Sequence, residues 1–496
     1  MSTSLVKKLF ASDWKFGRPP LYLWHDPSVT QADKKLIFKL DITILVYACL
    51  SFWVKYLDSA NLFNAYVSGL KEDLPLQPKE YTLCVTLFTV GTILFAIPSN
   101  LILTKLPPRI WLPGCELVWA IATLFTYKVR NAQELYAIRF IVGAMEGSCF
   151  VGCHYVFGAW YTKKELGKRA ALFAMCAYGG TLFSGFIQAG IMRTLDGRNG
   201  LPGWRWLFII DGVITLVVTI FGFIVFPDLP ETTKAWYLTE EDKKRCVERL
   251  REDGKEHEID SFGWDVLKRL FGTWQFWVLT PVWVFWSNTL GKYTGTVFPQ
   301  WLKAQGTYSI YQINMIPTAV SGFNIVMLLL IAWFIDVSGR RLYAIYFCLT
   351  IQIIGTIIVL VYDVSDATMI VGQMLGAMDG PTSPLVLAWA NILCYGDKQK
   401  RAFLLAAMNA IGNSSSAIIN QFAYNAVTGP RFRKGVIVSL VFVIFELIGL
   451  TFCRFIEVKM EPEEAESVED ADSLKKAKDL DEKLDDGRAS VVRAAL

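Results

Sequence analysis

RWLFIIDGVITLVVTIFGFIVF, Arg205 to Phe226, runs directly into PDLPETTKAWYLTEEDKKRCVERLRED, Pro227 to Asp253. The first string is long enough to cross a bilayer, which takes about 20 predominantly apolar residues in a helix. The second opens on a Pro-Asp-Leu-Pro break and becomes charged with a period that suits a short amphipathic helix, so the chain leaves the membrane there. Outward from this junction, five further apolar stretches precede it and six follow. The spans read as 36–57, 81–104, 110–128, 134–160, 169–192 and 205–226, then 274–297, 314–335, 341–362, 368–394, 401–427 and 435–455. The expected fold is an all-α polytopic membrane protein with 12 transmembrane helices. Its parts are an N-terminal tail 1–35, a six-helix bundle 36–226, a central loop 227–273, a second bundle 274–455 and a C-terminal tail 456–496.

Composition agrees with a chain whose solvent is lipid, at 53% hydrophobic, 14% aromatic and only 19% charged residues. The net charge of +4 is spread along the chain, which argues against a nucleic-acid partner. Most of the ten cysteines lie in apolar segments and read as small hydrophobes, with no disulfide framework implied. Some thirty polar residues precede the first apolar run, so a cleaved signal peptide is not expected and the first helix stays as an anchor. An even span count puts both tails on one side. Basic residues of the N-terminal tail, the central loop and the loop from Lys163 to Arg169 favour the cytoplasm for that side.

The two halves share a loop pattern. KLPPRIWL follows the second span and DVSGRRLYAI the eighth, with Arg109 and Arg341 separated by 232 residues (341 − 109). GKRAALFA follows the fourth and QKRAFLLA the tenth, with Arg169 and Arg401 again 232 apart (401 − 169). Repeated halves around a midplane cavity are an architecture of secondary transporters.

The chain has no GxxxxGK[ST] phosphate loop, which argues against an ATP-driven pump, and no HExxH pair or Ser/His/Asp set that would suggest an enzyme. CFVGCH, Cys149 to His154, has the wrong spacing for haem attachment and reads as packing. No cofactor and no metal are expected. The Asn413 sequon falls inside the eleventh span, where glycosylation is implausible.

Ionisable groups at membrane depth are costly and mark functional sites. Tyr47, Ser51, Lys55 and Asp58 share one face of the first helix, where Lys55 and Asp58 can pair. Arg139 and Glu146 lie on one side of the fourth, Asp211 is in the sixth and Asp379 in the tenth. Polar stripes run along the fifth span (Thr181, Ser184, Gln188) and the eleventh (Asn409, Asn413, Ser416, Asn420), either lining a cavity or bonding helices together. Asn288, Lys292 and Thr296 form a similar face in the seventh, though Lys292 could simply snorkel to the surface. Cations such as Lys55, Arg139 and Lys292, with Gln188, Asn409 and Asn413, suit a small organic anion. A buried acid, Glu146, Asp58, Asp211 or Asp379, could take and release a proton in each cycle.

The blocks YLDSANLFNAYVSGLKEDL from Tyr56, IRFIVGAMEGSCFVGCHYVFGAWYTKKELGKR from Ile138, GWRWLFIIDG from Gly203 and FPQWLKAQGTYSIYQINMIPT from Phe298 resemble the fungal allantoate permease family of the major facilitator superfamily. NAYVSGLKEDL and GRNGLPGWRWLFIIDG look most like its vitamin branch, which includes pantothenate and biotin proton symporters. The resemblance implies a major facilitator fold working by alternating access and proton-coupled uptake of pantothenate across the plasma membrane. Biotin, nicotinate, allantoate or another organic anion are the alternative cargoes, and another membrane such as the endoplasmic reticulum or vacuole the alternative location. An exporter or a non-transporting nutrient sensor are the remaining readings. The RFxxGxxE pattern carries over onto Arg139, Gly143 and Glu146. Many relatives have Asp-Arg where this chain has Asp58-Ser59, and Lys55 is a candidate for the missing charge. KLPPR lacks the superfamily's loop Gly and Asp, while DVSGRR keeps more of the pattern, giving Arg109, Arg169, Asp336, Arg340, Arg341 and Arg401 as gating residues. The expected partners are the small organic anion, protons and the lipid bilayer around a monomer.

Overall fold

The computed structural model describes residues 29–103, 105–252, 268, 271–338, 340–394, 398–424 and 429–460. The regular structure in them is helical: α1 (Gln31–Asp73), α2 (Pro78–Leu103), α3 (Pro108–Phe125), α4 (Ala132–Trp160), α5 (Lys163–Thr194), α6 (Gly203–Val225), α7 (Glu240–Glu252), α8 (Trp274–Trp286), α9 (Leu290–Gln305), α10 (Ile310–Met315), α11 (Thr318–Ser338), α12 (Arg341–Val361), α13 (Asp366–Gly376), α14 (Thr382–Leu393), α15 (Lys398–Phe422) and α16 (Arg433–Met460). In lipid every backbone polar group must be satisfied within the segment, which leaves the helix as the form for apolar runs of this length. Among the described residues, nine helices are long and apolar enough to cross a membrane. The other crossings of the 12 are the broken pairs α8/α9 and α13/α14, and α15, which carries the polar stripe.

Local chemistry sets the helix ends. The Asn131 side chain accepts a bond from the Glu134 amide at 2.9 Å and starts α4. Thr162 and Glu165 form a capping box at α5.

Three spans differ from expectation. The first does not end near residue 57 but stays helical to Asp73, apart from non-helical angles at Ser68 and Gly69, because Asp58, Asn61 and Ser68 are buried among neighbouring helices. The seventh is two helices, parted at Ser287–Asn288–Thr289, whose side chains bond nearby backbone carbonyls in place of the helical ladder. The tenth is parted at 377–381, where Gly380 and Pro381 stand, the proline having no N–H for the ladder. The charged run of the central loop forms α7, and residues 253–267 of that loop lie outside the described residues, as do residues 1–28 and 461–496 of the two tails.

Within the first bundle α2 crosses α4 with backbones nearly touching. A Cβ on Gly143 would lie 2.0 Å from the Phe88 carbonyl oxygen, and Thr92 Oγ1 donates to the Gly143 carbonyl at 3.0 Å. Gly143 and Gly147 form a small-xxx-small face, which lets transmembrane helices approach this closely. The glycine of RFxxGxxE is therefore a packing residue that positions Arg139 and Glu146 on either side of it.

We call inner the end that carries Gln31, α7 and Met460. The two bundles meet at the outer end. Asn314 Nδ2 donates to Ser68 Oγ at 3.0 Å, Lys303 pairs with Glu72 at 3.1 Å, Gln421 donates to Thr86, and one apolar cluster joins Leu62, Phe63 and Tyr66 to Phe298, Trp301 and Leu302. Towards the inner end each bundle has its own core, around Phe157 and Phe173 in one and Trp283 and Trp389 in the other. There α7 straps the first bundle. Cys246 and Leu250 are buried, Lys39 pairs with Asp242 at 2.6 Å, Arg245 grips Asp33 with two bonds of 2.9 and 3.0 Å, and Arg249 pairs with Glu165.

The crossing gives a direct test. Gly143→Val is expected to lower the unfolding temperature of detergent-purified protein, with a cost of about 3 kcal/mol, the upper end for overpacking. Gly114→Ala, whose Cβ would have nothing within 4 Å, is expected to leave it unchanged.

Candidate functional site

The centre of the first bundle holds the expected acids, but in a different pairing. Asp58 does not pair with Lys55: its Oδ1 lies 3.6 Å from Arg139 Nη1, and its Oδ2 accepts from Thr123 Oγ1 at 3.1 Å. Asp58 and Arg139 are 1% and 3% exposed, so both have left water and each depends on the other. Lys55, three residues earlier, is only half-buried and its ammonium stands 5.8 Å from the Phe52 ring. The Arg139 guanidinium also lies over the Phe88 ring at 4.7 Å, an aromatic face that partly replaces its lost hydration.

Asp58 is the hub of this cluster. Glu146 and Asp211, both 0% exposed, each interact with it. Glu146 also feels Lys55 and Arg139, and neither of its oxygens has a hydrogen-bond partner among the described residues. Asp211 Oδ2 accepts from Asn61 Nδ2 at 2.7 Å. Asn61 in turn accepts from Ser184, whose hydroxyl accepts from Asn64 Nδ2 at 2.6 Å. Ser184 therefore bonds α5 to α1, as interhelical glue. Gln188, one turn further, is wholly buried with neither amide atom bonded among the described residues. Asn61 and Thr123 were not anticipated, being neutral residues in otherwise apolar or mixed runs. Glu116 was also missed, although an acid in an apolar span is a visible signal. It is 0% exposed and accepts from Tyr47 Oη at 2.6 Å.

In the second bundle the site is built on the breaks. Asp379 sits in the gap between α13 and α14 with its carboxylate against the start of α9: a Cβ on Gly291 would lie 1.9 Å from its Oδ1. Its backbone carbonyl accepts from Trp286 Nε1 at 3.0 Å and from Thr382 Oγ1 at 2.8 Å. Lys292 interacts electrostatically with Asp379, and its ammonium lies 3.9 Å from the Trp286 ring centre. The break separates exposed Lys292 from buried Asn288, which bonds Ser415 at 2.8 Å, so the two do not form one helical face. From the first bundle, the Tyr178 hydroxyl approaches Gly380 and interacts with Asp379. On α15, Ser416 donates to the Ser287 carbonyl at 2.7 Å and Asn409 to its own helix at 3.0 Å, while Asn413 is exposed. Glu446, not anticipated, is 0% exposed with both oxygens unbonded among the described residues.

The loop residues fall at the inner end. Arg169 is fully buried, makes two bonds of 2.6 and 2.7 Å to Asp41 and stacks over Tyr161. Arg109 lies 3.6 Å from Asp228; burial pushes that carboxyl above its ordinary range and the guanidinium pulls against it. Arg341 is buried over the Trp389 ring at 4.6 Å, and Arg340 is exposed, 5.5 Å from Tyr343. The side chains of Asp336 and Arg401 lie outside the described residues.

Residues 48–420 match the family model of the Major Facilitator Superfamily. The chain is 38% identical to the MFS transporter PfmaC of Pestalotiopsis fici, over 83% of this chain and 78% of that protein. It is 34% identical to the pantothenate transporter FEN2 of Saccharomyces cerevisiae, over 86% and 84%. Among solved structures it is similar in fold to the inward open conformation of the xylose transporter XylE from E. coli, with a TM-score of 0.61, 15% identity and coverage of 81% and 94%.

The Asp58 pairing has a measurable consequence. Arg139→Met should cost roughly 3–5 kcal/mol, since it strands a buried carboxylate, and Asp58→Asn in the same chain should recover part of that loss. Thermal unfolding of the single and double variants checks it.

Proposed function

The chain belongs to the Major Facilitator Superfamily, and from that premise we propose that it is a secondary active transporter carrying pantothenate inward together with protons. The observation that carries this reading is the buried cluster of Asp58, Glu146 and Asp211, which faces two cations, Arg139 and Lys55. Three carboxyls against two cations in a low-dielectric interior leave one site that holds a proton, and the unbonded Glu146 is where it exchanges. Asp379 is the corresponding acid of the second bundle.

The cargo follows from the cations and the relatives. Lys55 on α1 and Lys292 on α9 each feel a nearby acid, Glu146 and Asp379 respectively, but make no close salt bridge among the described residues, and the two cations come from opposite bundles. A carboxylate held between them favours approach of the two bundles, which is what couples occupancy to rocking. Arg139 is bound to Asp58, so it sets the charge of the cluster more than it meets substrate. Asn409 and Asn413 extend the polar surface offered to the rest of the molecule, and the wholly buried Gln188 joins them only when the bundles move. Pantothenate is a small carboxylate of this kind, and FEN2 is named for carrying it.

The inner gate is assigned to Arg109, Arg169, Arg340 and Arg341 with Asp336 and Arg401. The transporter is proposed to act as a monomer in the plasma membrane, with parts 36–226 and 274–455 as the moving bundles.

Radiolabelled uptake into cells without their own carriers tests the reading. Pantothenate should accumulate more at acidic than at neutral external pH, and more than biotin, nicotinate or allantoate. Uptake of another acid in its place would reassign the cargo. Glu146→Gln should abolish accumulation against a gradient, and full accumulation by that variant would rule it out as the proton carrier. Lys55→Ala and Lys292→Ala should each weaken binding of the acid by about 1.5–3 kcal/mol, the worth of a hydrogen bond to a charged group, with little effect on an uncharged amide analogue.

A further inference from the structure

Glu116 is a buried acid that the transport cycle described above does not use. It lies on α3 with 0% exposure, one oxygen accepting from Tyr47 Oη at 2.6 Å and the other without a hydrogen-bond partner among the described residues. No ion pair is formed by it among those residues, so nothing in its surroundings neutralises a permanent carboxylate. A purely structural acceptor for Tyr47 would be served by an amide or a hydroxyl, without the cost of burying an ionisable group.

Its position relative to the acid cluster is informative. Thr123, which bonds Asp58, is seven residues further along α3, and Asp58 is eleven residues beyond Tyr47 on α1. At 1.5 Å per residue, Glu116 and Tyr47 therefore lie roughly 10–16 Å nearer the inner end than Asp58. The gap is not apolar. Ser51, on α1 between Tyr47 and Asp58, interacts with Glu116 and lies 3.5 Å from Cys149 Sγ, and Cys149 is three residues from Glu146 on α4. The titratable groups facing Glu116 are Tyr47 from α1 and Cys149 from α4, with Cys153 also facing Tyr47, while α6 places Gly222 against the Tyr47 ring.

We propose that Glu116 is a second proton-carrying carboxyl, a relay that receives the proton from the Asp58–Glu146–Asp211 cluster and releases it at the inner end. The proposal rests on the proton-coupled reading above. In the step, the Glu146 carboxyl loses its proton and becomes a carboxylate. The proton passes by way of the Ser51 hydroxyl to the unbonded oxygen of the Glu116 carboxylate, which becomes a carboxylic acid. Glu116 then gives the proton to water on the inner side and returns to the carboxylate that Tyr47 holds.

The test uses the full chain in proteoliposomes with radiolabelled pantothenate, comparing wild type, Glu116→Gln and Tyr47→Phe. Two modes are read: accumulation driven by an acidic exterior, and exchange of label against unlabelled pantothenate at equal pH. Glu116→Gln keeps the shape and an acceptor for Tyr47, so exchange should continue. Accumulation should fall about a hundredfold, the low end of what a positioned proton-transfer group contributes, and Tyr47→Phe, which removes the bond to Glu116, should lower accumulation while leaving exchange in place. Wild-type accumulation by Glu116→Gln would overturn the relay and leave the proton-coupled reading standing. Equal loss of exchange and accumulation would mark a packing role and overturn it too. Absence of pH-driven accumulation in wild type would overturn both.

Discussion

Asp58 and Arg139 have both left water, and the arrangement of the first bundle depends on that pair. A charge removed from solvent is tolerated only with a partner in good geometry, and here the partner comes from another helix, so α1 and α4 are held in one register. Thr123 fixes the second Asp58 oxygen from α3, and Asp211 reaches the same point from α6 through Asn61. Four helices thus converge on one carboxylate. The close approach at Gly143 makes this reach possible, because a side chain there would push α4 away from α2 and carry Arg139 with it.

The two bundles solve the midplane problem differently. In the first, long helices present side chains to the cluster, and the polarity is in carboxyls and amides. In the second, α8/α9 and α13/α14 are broken opposite each other, and the polarity lies in the backbone carbonyls and helix ends at the gaps, with Asp379 against the start of α9. Irregular backbone at membrane depth is tolerated only inside protein or along a watery cavity. The asymmetry suits the proposed division of labour, in which a proton site wants enclosed carboxyls and a carboxylate site an accessible cation: the first bundle encloses Asp58, Glu146 and Asp211, and the second leaves Lys292 exposed.

Beneath that asymmetry the repeat persists at the inner end. Trp160 Nε1 donates to the Asp228 carbonyl at 3.0 Å and Trp389 Nε1 to Glu457 Oε2 at 3.2 Å. The two tryptophans are 229 residues apart (389 − 160), and so are the two acids (457 − 228). Each bundle therefore ties the inner end of its fourth crossing to the chain leaving its sixth, beside an arginine from the third, Arg109 or Arg341. The loop repeat in the sequence and this tryptophan tie agree in placing the same inner contacts at matching positions of the two halves.

The sequence by itself determined an all-helical membrane chain and offered most of the acids and cations that the fold buries, with Glu116 and Glu446 among the exceptions, because burial in lipid selects apolar runs and penalises every ionisable residue within them. The blocks from Tyr56, Ile138 and Gly203 carried the family in the same way. Partners were decided only by the tertiary structure. Lys55 and Asp58 share a helical face, yet Asp58 turns to Arg139, since a pairing between helices depends on crossing geometry that no periodicity records. Asn61, Thr123 and Ser184 gained roles by proximity, and the polar stripe of the fifth span became glue at Ser184 for the same reason. The breaks in the seventh and tenth crossings were hidden too: a run of apolar residues fixes that a segment lies in lipid, but whether its backbone bonds to itself or to a neighbour is settled by what the fold places beside it.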